Sequence, residues 1–185
     1  MSEIRRSHRS QGAKRPNFVI PIAFLAVAAL AAGWFFLRPH LASPRAITVY
    51  YTAMDGTTEQ PWNLSMRPRP AGTSDAEWEH DVALYAALQS VVGPPSDVQA
   101  VRFPSGTRVN DVTIHGSSIT VDLSRAVESR SGGTFGENGE FKSLVYSMTA
   151  LPGITAVQVT VDGKTLETLP GGHLELDAPL HRTDF

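Results

Sequence analysis

Apolar residues recur at helical spacing through Phe141, Leu144, Val145 and Met148, and the pattern changes at Leu151-Pro152-Gly153. From Ile154 to Val161 apolar and polar residues alternate, and Asp162-Gly163 follows. The first rhythm predicts a helix and the second a half-buried strand, while Asp-Gly favours a type I′ turn. A further strand is expected over Thr165–Leu169. The stretch Glu140–Leu180 therefore reads as a packing unit around which the rest of the chain is organised.

The same patterns place elements upstream. Ile47–Tyr51 is β-branched and aromatic and reads as a strand. Trp62–Arg67 alternates like its partner, with Pro68 and Pro70 confining it to an edge. Ser74-Asp75-Ala76-Glu77 has the form of a capping box, with Ser74 at the N-cap and Glu77 reaching back to its amide. The helix it opens carries one apolar stripe, Trp78, Val82, Tyr85, Leu88 and Val92, and stops at Gly93-Pro94-Pro95. Val112 and Ile114 lie on one alternating run and Ile119, Val121 and Leu123 on a second, joined by a hairpin turn at His115-Gly116-Ser117. Ser124 is placed to cap a short helical piece. Ser129–Gly139 holds four glycines and is expected to be a flexible loop. The fold class is α+β, a small mixed or antiparallel sheet packed by two main helices.

Ahead of this domain, residues 18–37 form twenty positions without a charge, long enough as a helix to cross a bilayer core. Trp34, Phe35 and Phe36 suit an interfacial belt, and Pro21 falls in the first turn, where it costs least. Five basic residues precede the span and outweigh Arg38 and Arg45 behind it, which puts the N-terminus in the cytoplasm. Ala29-Leu30-Ala31 offers a signal-peptidase site, so cleavage is the alternative, but Gly33–Leu37 continues the apolar run beyond it. The expected organisation is a basic cytoplasmic tail (1–17), a transmembrane signal anchor (18–37), a spacer (38–45) and an extracytoplasmic domain (46–185), localised to the cell membrane as a single-pass protein.

Composition narrows the chemistry. The chain has 185 residues, suited to one domain with a proper core, and no cysteine. That excludes disulfides, thiolate catalysis, Cys-ligated metals and a lipidated cysteine. The net charge of −2 is split between +6 up to Arg45 and −8 from Ala46 onward, so the main domain has no footprint for nucleic acid. Glu77 and His80 stand at i, i+3, a spacing used by di-metal bundles, but without a second copy they read as a solvated helix face. The run Gly132–Gly139 before Lys142-Ser143 is not a phosphate loop, since Phe141 and not glycine precedes the lysine. His173, flanked by Gly171-Gly172, reads as a turn residue, and Asp122 points off the apolar face toward solvent or a helix N-terminus. No nucleophile elbow is present, and no catalytic, cofactor-binding or metal-binding residue is assigned.

Three stretches carry a family resemblance. They are Ser118-Ile119-Thr120-Val121-Asp122-Leu123-Ser124, the run Thr149–Gly153 with Val157–Gly163, and the closing Gly172-His173-Leu174-Glu175-Leu176-Asp177-Ala178-Pro179-Leu180. Together they resemble the GerMN domain of sporulation and spore-germination proteins, over about Ala46 to Arg182. The resemblance implies a ring-building-motif-like α+β fold, an extracytoplasmic setting and no enzymatic activity, cofactor or metal. It differs from GerM in having one copy of the domain, a helical anchor and a longer glycine-rich stretch. The expected function is non-enzymatic protein interaction or self-assembly at the cell envelope. The alternative is a cell-wall or small-ligand-binding domain, with Gly132–Gly139 and His173 lining a shallow site.

Overall fold

The computed structural model describes residues 26–34, 44–129 and 133–185. The chain divides into two units, Met1–Ala42 and Ser43–Phe185. In the first, residues 26–34 are helical, and the rest of the expected tail and anchor lies outside the described residues. Among the described residues no helix is long and apolar enough to cross a membrane.

The second unit is an α+β domain with two sheets where the sequence pattern predicts one. Strands β1 (Arg45–Thr52) and β2 (Glu59–Met66) form an antiparallel pair. Strands β3 (Val109–His115), β4 (Ser118–Leu123) and β5 (Ala156–Val161) form the other sheet in that order, antiparallel between β3 and β4 and parallel between β4 and β5. A parallel pair needs a long crossover, which helix α2 (Gly133–Met148) supplies. Helix α1 (Asp75–Val92) connects the two sheets in sequence, and short 3-10 turns occupy Arg125–Glu128 and Arg182–Asp184.

The core follows the sequence rhythm most closely in α2 and the second sheet. Phe141, Leu144, Val145 and Met148 are fully buried, as are Ile119, Val121, Leu123 and Val157. Ile47, Val49 and Tyr51 close the core from β1. The capping box of α1 forms as expected, with Glu77 N–H donating to Ser74 Oγ at 3.2 Å and Ser74 N–H to Glu77 Oε2 at 2.8 Å. At the other end, Gly93 adopts a positive φ of 81°, and Arg102 stacks over it to donate to the carbonyls of Pro94, Pro95 and Val98.

Several expectations are corrected. The buried side of α1 is Trp78, Val82, Ala83, Ala86, Ala87, Ser90 and Val91, while Leu88 and Val92 are exposed. The stripe is thus rotated toward the small residues, because close approach of α1 to its neighbours favours alanine over leucine at the contact. Gly133 to Gly139 belongs to α2 instead of a loop. Gly139 is needed there: a Cβ at this position would lie 2.8 Å from Val101 Cγ2. The segment 165–169 is not a strand, since the type I′ turn, with φ of 47° at Asp162 and 76° at Gly163, closes only the single bridge Val161–Lys164.

Candidate functional site

The polar side chains that carry potential chemistry gather where α2 lies along the free edge of β1. Tyr50 N–H donates to Ser147 Oγ at 2.8 Å and Thr52 N–H to Ser143 Oγ at 2.9 Å. Ser143 and Ser147 are four residues apart, hence on one face of the helix, and the amides of Tyr50 and Thr52 are two apart, hence on one edge of the strand. The serines do for β1 what a third strand would do. Ser147 Oγ in turn lies 2.7 Å from Ser143 O, and Ser143 Oγ lies 2.8 Å from Gly139 O.

At the upper end of this seam Lys142 Nζ lies 3.5 Å from Glu59 Oε1 and donates to Thr57 O at 3.0 Å. Thr52 Oγ1 stands 2.9 Å from the same Glu59 oxygen. Burial pushes the Glu59 carboxyl above its ordinary range, with the Thr52 hydroxyl and the Lys142 ammonium working against that rise. Lys142-Ser143 therefore does not hold a phosphate: both side chains are engaged in tying α2 to the β1–β2 hairpin. No periodicity or spacing signal announces this arrangement, because Glu59 and Lys142 are distant in sequence and each reads as a solvated charge.

The other singled-out residues fall in separate places. His80 is half-exposed, with Nε2 3.6 Å from Asp111 and Nδ1 3.8 Å from Asp81, while Glu77 serves the N-cap. Among the described residues no group of histidines and carboxylates could hold a metal. Asp122 faces neither solvent alone nor a helix end. It accepts from Thr160 Oγ1 at 2.7 Å, Gly163 N–H at 2.7 Å and Asn110 Nδ2 at 3.0 Å. Burial works to raise its pKa, but these three donors outweigh it and hold the carboxyl below the usual range. His173 is exposed, and its backbone N–H donates to the buried Glu137 carboxylate at 2.9 Å. Its side chain lines one shallow concavity with Ala178–His181, whereas Gly136 lines another with Met54, Val101 and Phe135. Glu137 lies within Gly132–Gly139, so the two halves of the expected ligand site meet through this buried bond, while the open concavities beside them are separate.

The sheet edges are closed in different ways. The outer edge of β5 is covered by the chain end: Val157 and Leu180 exchange both backbone hydrogen bonds, and Gln158 Nε2 donates to Leu176 O at 2.7 Å. On β1, the residues that turn toward α2 are even-numbered, so the odd-numbered ones bond to β2. Their partners on β2 are Gln60, Trp62, Leu64 and Met66, which leaves Pro61 facing outward. A proline there removes an N–H from the open edge without breaking the ladder. Apolar surface open to a partner among the described residues includes α1, where Leu88 is 37% and Val92 70% exposed next to half-buried Tyr85, and the Met54–Phe135 concavity.

Solved structures resemble this fold. A Clostridium perfringens protein classed as a candidate lipoprotein has 14% identity and a TM-score of 0.52, over 77% of this chain and 90% of that one. The first GerMN domain of the Bacillus subtilis sporulation protein GerM gives 20% identity and a TM-score of 0.53, over 75% of this chain and 98% of the domain. The tandem GerMN domains of the same protein give 21% and 0.54, over 77% of this chain but 48% of the tandem. No curated protein sequence matches the chain. A family model described as "Sporulation and spore germination" matches residues 48–167, running from β1 past β5. With that match across most of the chain, and with the GerMN fold beneath it, the protein belongs to the Germane family and carries one copy of its domain.

Proposed function

We propose that the chain is a non-enzymatic, membrane-anchored domain that works by protein contact at the extracytoplasmic face of the cell envelope. The observation that carries this reading is the surface of α1, which buries alanines and presents Leu88 and Val92 to solvent. Exposed aliphatic residues grouped on one helix face mark interaction surfaces more often than isolated ones do. The non-enzymatic reading is supported by the occupancy of the reactive groups. Lys142, Ser143, Ser147 and Asp122 are each engaged in bonds that hold the fold together. Family membership points the same way, and the uncharged 18–37 stretch supports the anchor.

A photo-crosslinking amino acid at Val92 in the full chain, expressed in its native membrane, tests the reading. The expected product is one discrete adduct with an envelope protein or a second copy, weakened by Leu88→Asp. A crosslinker at Val92 that labels no protein, alongside efficient labelling from the His173 side, would move the site to the ligand-binding alternative.

A further inference from the structure

The start of β1 and the closing 3-10 turn face each other across a concavity of about 350 Å³, lined by Arg45, Thr48, Tyr50, Leu151, Pro152 and Arg182 among others. None of its lining residues is acidic, although the chain from Ala46 onward carries a net −8. Arg182 is fixed in place. Its Nε donates to Thr149 Oγ1 at 2.6 Å and its Nη2 to Tyr146 O at 3.0 Å. The guanidinium lies 4.7 Å from the Tyr146 ring centroid and 5.5 Å from that of Tyr50. These contacts leave Nη1 unengaged among the described residues and remove most of the side chain's freedom before any ligand arrives. Arg45 has no carboxylate or carbonyl partner among the described residues. Glu79 lines a neighbouring concavity that Arg45 also borders, but the two form no ion pair.

We propose that the Arg45–Arg182 cleft binds a phosphate group carried on a small polyol, the chemistry of an anionic phosphodiester headgroup. Two arginines lining one cleft suit a tetrahedral oxyanion, whereas a planar carboxylate is satisfied by one guanidinium fork. The volume exceeds that of bare phosphate, and Ala150, Leu151 and Pro152 supply an apolar wall for the carbon arm. The source of the phosphate is assigned to lipid, a step that rests on the anchored reading. Arg45 follows the apolar stretch ending at Leu37 by only eight residues, a reach of at most about 29 Å.

The test is isothermal titration of the full chain in a neutral maltoside at low salt. The probes are inorganic phosphate, dihexanoylphosphatidylglycerol below its micelle threshold, and dihexanoylphosphatidylcholine. Saturable binding of phosphatidylglycerol, at least tenfold weaker in Arg45→Gln and unchanged in Arg125→Gln, is the expected result. The phosphatidylcholine should bind at least tenfold more weakly than the glycerol lipid. Inorganic phosphate binding as tightly as the glycerol lipid, and equally lost in Arg45→Gln, upholds the phosphate site but assigns it a soluble source. Equal binding of all three probes, or binding that Arg45→Gln leaves intact, overturns the proposal. So does the absence of saturable binding by either phosphate-bearing anion. The crosslink from Val92 is independent of each outcome, since α1 does not line this cleft.

Discussion

Thr52 and Ser143, 91 residues apart in the chain, are joined by a backbone N–H donating to a side-chain oxygen at 2.9 Å inside the core. With Tyr50 and Ser147 beside them, they fasten a helix to a strand edge. Removing the hydroxyl would leave a buried amide without an acceptor, which costs about 1–3 kcal/mol. Ser143→Ala and Ser147→Ala are each expected to lower stability by that amount in urea denaturation. Amide exchange at Thr52 and Tyr50 respectively should accelerate, while exchange in β4 changes only with global stability.

Of the glycines in α2, Gly139 has the tightest surroundings. An alanine there gains about 1 kcal/mol of helix propensity but meets Val101 at 2.8 Å, inside the range where something must shift. Overpacking of this kind costs about 1–3 kcal/mol. Gly139→Ala is expected to be destabilising, and Val101→Ala in the same chain should recover most of the loss. Additive losses in the double variant would show that the two side chains do not compete for space.

Two leucines with equal prominence in the sequence should behave differently. Leu144→Ala opens a cavity in a fully buried layer and is expected to cost about 2–5 kcal/mol. Leu88 is 37% exposed, and its replacement by alanine should cost under about 1 kcal/mol. Chemical denaturation of both variants decides the matter, and equal losses would place Leu88 back in the core.

The Glu59–Lys142 pair gives a pH signature. Breaking a buried pair by removing one partner costs about 3–5 kcal/mol, because a charge is left without compensation. Lys142→Met should therefore be strongly destabilised at neutral pH. Glu59 has a raised folded-state pKa, so its contribution is fully present below its unfolded value and is lost as pH rises through the folded value. Losing the ammonium removes an influence that lowers this pKa, so the variant should regain stability on acidification toward about pH 4. Stability of Lys142→Met that is flat across this range would contradict the assignment.

Asp122 has the opposite sign. Its folded-state pKa is depressed below 3.8, so its stabilisation is present above that value and is lost as pH falls through the folded pKa. Asp122→Asn is expected to cost about 1 kcal/mol at neutral pH, given partial exposure of the site. The difference from the parent should shrink as the pH is lowered below about 4.

The sequence shows α2 and the β3–β4–β5 sheet plainly because a period of 3.6 or 2 survives wherever one face is buried by large side chains. It misplaces the face of α1 because alanine packs as well as leucine at a close contact yet adds little to an apolar stripe. Trp78 and Val82 belong to both candidate faces, and only the partner surface chooses between them. Gly133, Gly136 and Gly139 read as loop formers by composition, and for Gly139 the need for glycine comes from the approach of Val101, a non-local fact. The serine seam and the Glu59–Lys142 pair are equally hidden, since each joins residues on different elements. Pro61 shows the converse. A proline that argues against a strand is accommodated because its position faces the open edge, which the register reveals and the sequence does not.

The covering of β5 by Leu176 and Leu180 has a consequence for the order of events during synthesis. The strand that completes the parallel pair cannot be sealed until Leu180, 19 residues beyond the end of β5 at Val161, has emerged. β1, although made early, waits for serines 91 and 97 residues downstream to satisfy its edge. Contacts of such long sequence separation slow folding and keep strand edges exposed in the meantime. A nascent chain stalled short of Leu180 should remain protease-sensitive throughout, and should not protect its first half ahead of its second.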